Sequence, residues 1–360
     1  MNKVDSCLSR SLASLFLILF VIATATALLL INIDRAIADP NVVKNILANQ
    51  NIARSIPVLV ADQIAFHKEA CQQNPEQCEG ENQSPADKEG GAVDYLKILP
   101  KQQLEILLTS LMTPEWGQAQ IEGLVDQLWA YMQSSQPVLR LNLSLADPKN
   151  RLKGTEGQQA ILQIILNQPA CSDAQLAVIE QMAINQGKAA EEIPLCQPPQ
   201  QFMSQLSPVI GSIVNPLANT LPDQIDMAGS DQAPYARLRQ DYRRFHQAAF
   251  LSPFISLGLL LLVTIVAVRS LRSLFRWWGI SFLLAGLLGL FAAITSGSLL
   301  SGYVNSFPAG DLAPAVQQAM QAVIASIFNL ASRQTIVMAG GLVVLGLLMT
   351  GVGLLLPGKN

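Results

Sequence analysis

Four stretches of the chain contain no Asp, Glu, Lys or Arg: residues 11–33, 250–268, 277–300 and 335–356. Each approaches or exceeds the ~20 apolar residues that cross a bilayer as a helix. Between the first two lies a long polar stretch, residues 34–249, in which apolar positions recur at helical spacing. Asp39-Pro40 predicts a helix start, a capping carboxylate followed by Pro at the first helical position. Val42, Val43, Ile46 and Leu47 continue it on one face. Pro57 predicts the opening of a second helix, to about Glu69. Pro100 opens another through Leu104, Leu107 and Leu111. Thr113-Pro114-Glu115 starts a fourth, with Trp116, Ile121, Val125 and Leu128 as its stripe. Thr155 is expected to cap a helix carrying Ile161 and Ile164, and Ser172 with Gln175 forms a capping box for the next.

One segment breaks this period. Leu139, Leu141, Leu143 and Leu145 alternate with Arg140, Asn142 and Ser144, the two-residue repeat of a half-buried strand. A lone strand leaves backbone groups unpaired, so a partner must exist that the sequence does not identify. Residues 235–249 predict a basic helix leading into the second apolar run. Residues 311–331 predict an amphipathic helix before the fourth, its apolar face expected to pack on the large loop. The fold class expected is mainly α: four transmembrane helices plus an α-helical extracytoplasmic domain with at most one or two short strands.

Charge then orients the chain. Lys and Arg of short loops mark the cytoplasmic side. Lys3, Arg10, Arg269, Arg272, Arg276 and Lys359 fall on one side, while the short loop 301–334 carries only Arg333. Arg269, Arg272 and Arg276 therefore set the topology. The expected order is a cytoplasmic N-terminus 1–10, a span 11–33, an extracytoplasmic domain 34–249 and a span 250–268. A basic cytoplasmic turn 269–276, a span 277–300, an extracytoplasmic loop 301–334, a span 335–356 and a cytoplasmic tail 357–360 complete it. The first run exceeds the ~7–15 residues of a signal-peptide apolar core and reads as a retained anchor. The arginines 237, 239, 243 and 244 stand against this threading, but they belong to a long loop, which crosses largely regardless of charge. They read equally as headgroup contacts or as a solvated face neutralised by acids such as Asp231 and Asp241.

The large loop holds 16 Lys and Arg against 24 Asp and Glu, whereas the whole chain is only −3. An acidic domain beside a basic membrane part argues against nucleic acid as a partner. Cys71, Cys78, Cys171 and Cys196 all lie in that loop, in two local groups. Loop-closure entropy favours the pairs Cys71–Cys78 and Cys171–Cys196, and disulfides suit an oxidising compartment. No zinc-type cysteine spacing occurs, and no metal or cofactor is expected.

Candidate chemistry is sparse. Ser281, Ala285, Gly289, Ala293 and Gly297 are small residues at every fourth position of the third run, a groove for close helix packing. Gly340, Gly341, Gly346, Thr350 and Gly353 add small residues in the fourth. No nucleophile elbow, phosphate loop, zincin or EF-hand pattern is present. The segments Leu111-Met112-Thr113-Pro114-Glu115-Trp116, Leu141-Asn142-Leu143-Ser144-Leu145 and Pro194-Leu195-Cys196-Gln197-Pro198-Pro199 resemble those of uncharacterised bacterial tetraspan integral membrane proteins with a large extracytoplasmic loop. That resemblance implies no activity and no site residue. The function expected is a non-catalytic binding, sensing or scaffold module embedded in a lipid bilayer, with a protein partner or self-association. The alternative is a transport component or accessory subunit of a membrane complex.

Overall fold

A computed structural model describes residues 3–73, 99–184, 196–200, 210–211, 214–216, 218–229, 231–268, 270–305 and 312–356. Four long helices form the membrane part: α1 (Lys3–Ala38) and, late in the chain, α9 (Ala233–Ala267), α10 (Leu271–Asn305) and α11 (Pro314–Leu355). Each contains a window long and apolar enough to span a bilayer, so the chain is an integral, multi-pass membrane protein. Large apolar side chains on the outer faces stay uncovered, with Val337 75% and Ile265 69% exposed, as lipid contact requires.

Within this set α1 touches α9, α10 and α11, and α10 touches all three others. Helices α1 and α10 therefore lie across the short diagonal of the bundle, with α9 and α11 at its far corners. Phe20 of α1, Leu260 of α9 and Ala285 of α10 meet at one buried point. The Trp278 indole donates to Thr264 Oγ1 at 2.8 Å and ties α10 to α9. At the end near Arg272, that side chain donates from Nε to the Gly353 carbonyl at 3.3 Å.

Two of the spanning helices absorb a segment that the sequence reads as a separate helix. The basic segment before residue 250 and the run after it are one helix, and so are residues 314–331 and the fourth run. Nothing in Ser332-Arg333-Gln334 ends a helix, since Arg and Gln are good helix formers. Helix α11 is thus about 63 Å long, roughly twice the hydrocarbon thickness, and half of it stands outside the lipid. Pro253 lies inside α9 without ending it. Its ring removes the amide that would bond the Ala249 carbonyl, and the Ser252 hydroxyl donates to that carbonyl at 2.8 Å instead.

The polar domain is built from α2 (Pro40–Asn49), α3 (Ile52–Gln73), α4 (Lys101–Leu111), α5 (Pro114–Gln133), α6 (Ala146–Lys153), α7 (Thr155–Leu166) and α8 (Asp173–Ile184). Asp39 caps α2 by accepting from the Asn41 amide at 2.9 Å. Ser172 and Gln175 cap α8 reciprocally, whereas Thr155 is no cap but the first residue of α7, with Gly154 before it and no side-chain bond to the free amides. Pro57 does not open α3. It sits inside the helix, which starts at Ile52 after Asn51, a residue with φ +53°. Pro57 leaves the Ala53 carbonyl without its helical donor, and α5 packs there. A Cβ on Gly117 would lie only 2.8 Å from that oxygen, so glycine permits the approach. The main apolar core joins Leu107 and Leu111 of α4, Leu152 of α6 and Ile164 of α7 to Ile210, Val214 and Ala218.

The alternating leucine segment contributes β1 (Asn142–Ser144), paired antiparallel with β2 (Gln224–Asp226). Its partner is thus a short piece from just before α9. The other edge of β1 is closed by side chains. Gln127 Oε1 accepts from the Asn142 amide at 2.7 Å, Gln120 Oε1 accepts from the Ser144 amide at 2.9 Å, and the Trp116 indole donates to the Ser144 carbonyl at 3.0 Å. Helix α5 thereby takes the place of a third strand.

Candidate functional site at the membrane–domain junction

The domain is bonded to three of the four spanning helices. The first contact is at the end of α1, where the last carbonyls of a helix lack internal donors. The indole of Trp129, on α5, donates to the Ile37 carbonyl at 3.0 Å and the Ala38 carbonyl at 3.2 Å. One turn below, Asp34 of α1 receives His246 Nδ1 of α9 at 2.9 and 3.1 Å to its two oxygens. Tyr242 stacks on His246 with ring centroids 6.1 Å apart.

Helix α9 makes the second set. Arg239 donates to the Gln136 carbonyl and Arg243 to the Ser134 carbonyl at 2.6 Å, both just past the end of α5. The Arg239 guanidinium also lies 4.7 Å from the centre of the buried Tyr131 ring. These two arginines therefore face neither lipid nor acids. They neutralise the carbonyl end of α5. Arg244 reaches Asp241 only at 3.9 Å, with both side chains more than two-thirds exposed, a contact worth little.

Helix α11 makes the third set. Gln50 donates to Ser326 Oγ at 2.8 Å, and Gln63 accepts from the Ala313 amide at 2.9 Å. Where α11 enters the bundle, fully buried Asn32 donates to Thr335 Oγ1 at 3.1 Å and to the Leu28 carbonyl at 2.8 Å. Thr335 passes its own proton to the Ala331 carbonyl at 2.8 Å. Asn32 Oδ1 has no partner among the described residues.

A shallow groove of about 480 Å³ lies beside this junction. It is open to solvent and lined by Asn51, Arg54, Pro114, Glu115, Gln118 and Glu122, among others. Its charges are mixed, and among the described residues no group of three or more His, Cys, Asp or Glu is placed to hold a metal. Elsewhere in the domain, Lys149 donates to Asp223 at 2.7 Å. That bond and the ammonium charge hold the Asp223 carboxyl below its usual range.

The residues singled out from sequence are distributed as follows. Cys171 and Cys196 form a disulfide beside the Ala170–Gln197 bridge. Cys71 is disulfide-bonded, and Cys78 lies outside the described residues, as does Arg269. Arg272 bonds Gly353, and Arg276 is exposed one turn further along α10. Ser281, Ala285, Gly289 and Ala293 are buried, and the side-chain position of Gly297 lies outside the description. This stripe faces the middle of the bundle: a Cβ on Gly289 would meet Ala339 Cβ of α11 at 3.2 Å and Leu28 Cδ1 of α1 at 3.3 Å. The closest approach of α10 to α11 uses another face. A Cβ on Gly286 would lie 2.7 Å from the Ala339 carbonyl oxygen, and one on Gly346 would lie 2.5 Å from the Leu283 amide nitrogen. Gly340 and Gly341 meet nothing within 4 Å.

Sequence reasoning passed over Trp129, Asp34, His246 and Asn32. One signal was present for Trp129: a partly buried indole N–H must find an acceptor. No protein-family model, curated protein or solved structure matches the chain.

Proposed function

We propose that this integral membrane protein carries its polar domain on the extracytoplasmic side, with both termini in the cytoplasm. In this reading the domain serves as a non-catalytic binding, sensing or scaffold module. The observation that carries the reading is the mounting of the domain. Direct bonds run from it to α1, α9 and α11, so a partner that shifts α5 or α2 also strains the spanning helices. A freely tethered enzyme domain has no need of such a mounting. The Cys171–Cys196 disulfide supports the orientation, since such bonds persist in oxidising compartments. So does the excess of short-loop arginines at the opposite end.

Two measurements test this. In intact cells, an impermeant maleimide should label Cys171 and Cys196 only after reduction. Labelling only after permeabilisation removes the proposed orientation, and labelling of intact cells without reduction removes the disulfide as its support. Crosslinking followed by purification in mild detergent should recover a protein bound through the domain or a second copy. Recovery of monomer alone, together with turnover of a small substrate by the purified chain, would replace the module reading with an enzyme.

A further inference from the structure

Two side-chain pairs, one buried and one at the surface, fix the relative heights of three spanning helices. Asn32 and Thr335 place α1 and α11 at one level, and Asp34 and His246 place α1 and α9 at another, two residues higher. With ~1.5 Å of rise per residue, three exposed arginines then share a slab only about 3 Å deep. Arg35 of α1, Arg333 of α11 and Arg244 of α9 lie about 4.5, 3 and 6 Å above the Asn32 level, on the domain side. Directly below them the surface is apolar and uncovered, at Phe250, Leu251, Ile336 and Val337. Eighteen residues further along α11, Gly353 is bonded by Arg272. Adding the roughly 3 Å from Thr335 up to Arg333, the layer between the two arginine levels is about 30 Å, close to one hydrocarbon core. The slab thus coincides with lipid phosphates.

The acids near this level are committed. Asp34 is taken by His246 and Asp39 by the Asn41 amide, while Asp241 reaches Arg244 only at the edge of contact. Arg35 and Arg333 have no carboxylate partner among the described residues. Three cations carried at phosphate depth, above lipid-facing apolar surface, suit an anionic phospholipid whose chains lie along that surface.

We infer that Arg35, Arg244 and Arg333 form a belt that binds the headgroups of anionic phospholipids in the domain-side leaflet. The inference does not depend on which side of the membrane that leaflet faces. Arg237 supplies the internal control. It lies on the same exposed face of α9 as Arg244 but about 10 Å further from the membrane.

The test is native mass spectrometry of the full chain in mild detergent, titrated with phosphatidylglycerol or with phosphatidylcholine of matched acyl chains. The wild type should prefer phosphatidylglycerol. R35Q and R333Q should each weaken that preference about fivefold, and R35Q/R244Q/R333Q should abolish most of it. The triple lysine variant should keep it, because the charge at phosphate depth remains, and R237Q should leave it unchanged. If the triple glutamine variant fails to fold, the single variants read the same effect. Equal loss in R237Q would mean diffuse charge and overturn the belt, as would an undiminished preference in R35Q and R333Q. Displacement by equimolar inorganic phosphate would assign the arginines to a free anion instead of lipid.

Discussion

Among the described glycines of the membrane part, Gly346 makes the tightest backbone-to-backbone approach, and it can be broken with a single methyl group. A Cβ on Gly346 would sit 2.5 Å from the Leu283 amide nitrogen, 2.8 Å from the Gly279 carbonyl oxygen and 2.9 Å from Leu283 Cα. All three are backbone atoms, so no side chain can rotate away. Helices α10 and α11 must separate locally, and neighbouring contacts such as Gly279 against Thr350 loosen with them. Overpacking of this kind costs about 1–3 kcal/mol. Helix propensity works the other way, since Ala is favoured over Gly in a helix by ~1 kcal/mol. For Gly346→Ala the steric term should win, giving a net loss of up to about 2 kcal/mol and a variant about 1–3 kcal/mol less stable than Gly341→Ala. Gly341→Ala, on the same helix with nothing within 4 Å of its Cβ, isolates propensity and should be neutral or stabilising by up to ~1 kcal/mol. Because both variants make the same chemical change, their difference reports packing alone. The assay is equilibrium unfolding in mixed micelles, followed by tryptophan fluorescence. Equal stability of the two variants would refute the view that α10 and α11 are held by direct backbone contact.

Trp129→Phe keeps the ring but removes the donor to the Ile37 and Ala38 carbonyls; it should cost about 1–2 kcal/mol, read as a lowered midpoint for the domain in thermal unfolding. Cys171→Ser with Cys196→Ser opens a loop of sequence separation 25 and should destabilise the domain by roughly 3 kcal/mol, with the same loss on adding reductant to the wild type. The Asp223 carboxyl is held below its unfolded value by Lys149. Its contribution is therefore present above the unfolded carboxylate range and is lost as pH falls through the lowered folded value. In unfolding curves taken from pH 6 down to about pH 3, Asp223→Asn should start less stable and show a correspondingly smaller acid loss than the wild type.

Much of the outline was legible in the sequence because solvent writes it there. A run such as residues 250–268, without one charge, has no low-energy place except lipid or a large core. Caps were equally readable: Asp39-Pro40, Thr113-Pro114 and Ser172 with Gln175 sit where the backbone shows them, since capping uses only local atoms. Pro57 misled for the same reason in reverse. A proline is locally a good helix start, but the Ala53 carbonyl it leaves free is occupied by α5, a contact 60 residues away in sequence. Pro253 is tolerated through the neighbouring Ser252 hydroxyl, a compensation visible only once the rotamer is known. The strand partner of Asn142–Ser144 was out of reach too, because Gln224–Asp226 has no alternating pattern and α5 supplies the remaining bonds through glutamines.

The small-residue stripe shows the limit most clearly. Its period marked Ser281, Ala285, Gly289 and Ala293 as a packing face, and they are buried. Which helix they would meet could not follow from period alone. Gly289 stands against both α11 and α1, Ala285 packs with Phe20 of α1 and Leu260 of α9, and Gly279 and Gly286 take α11.

Composition and pattern by themselves determined that the chain is helical, that four segments belong in a membrane, and where most helices begin. Those properties depend on free energies of transfer and on local backbone geometry, which each segment carries wherever it goes. Only the tertiary structure decided that α1 and α10 share the short diagonal, that α9 and α11 rise from the lipid as stalks, that Trp129 bonds the domain to α1, and that Asp34 and Asn32 tie α1 to α9 and α11. Those choices rest on single hydrogen bonds and methyl-sized clearances between residues up to 306 positions apart, and such terms exist only after the surfaces have met.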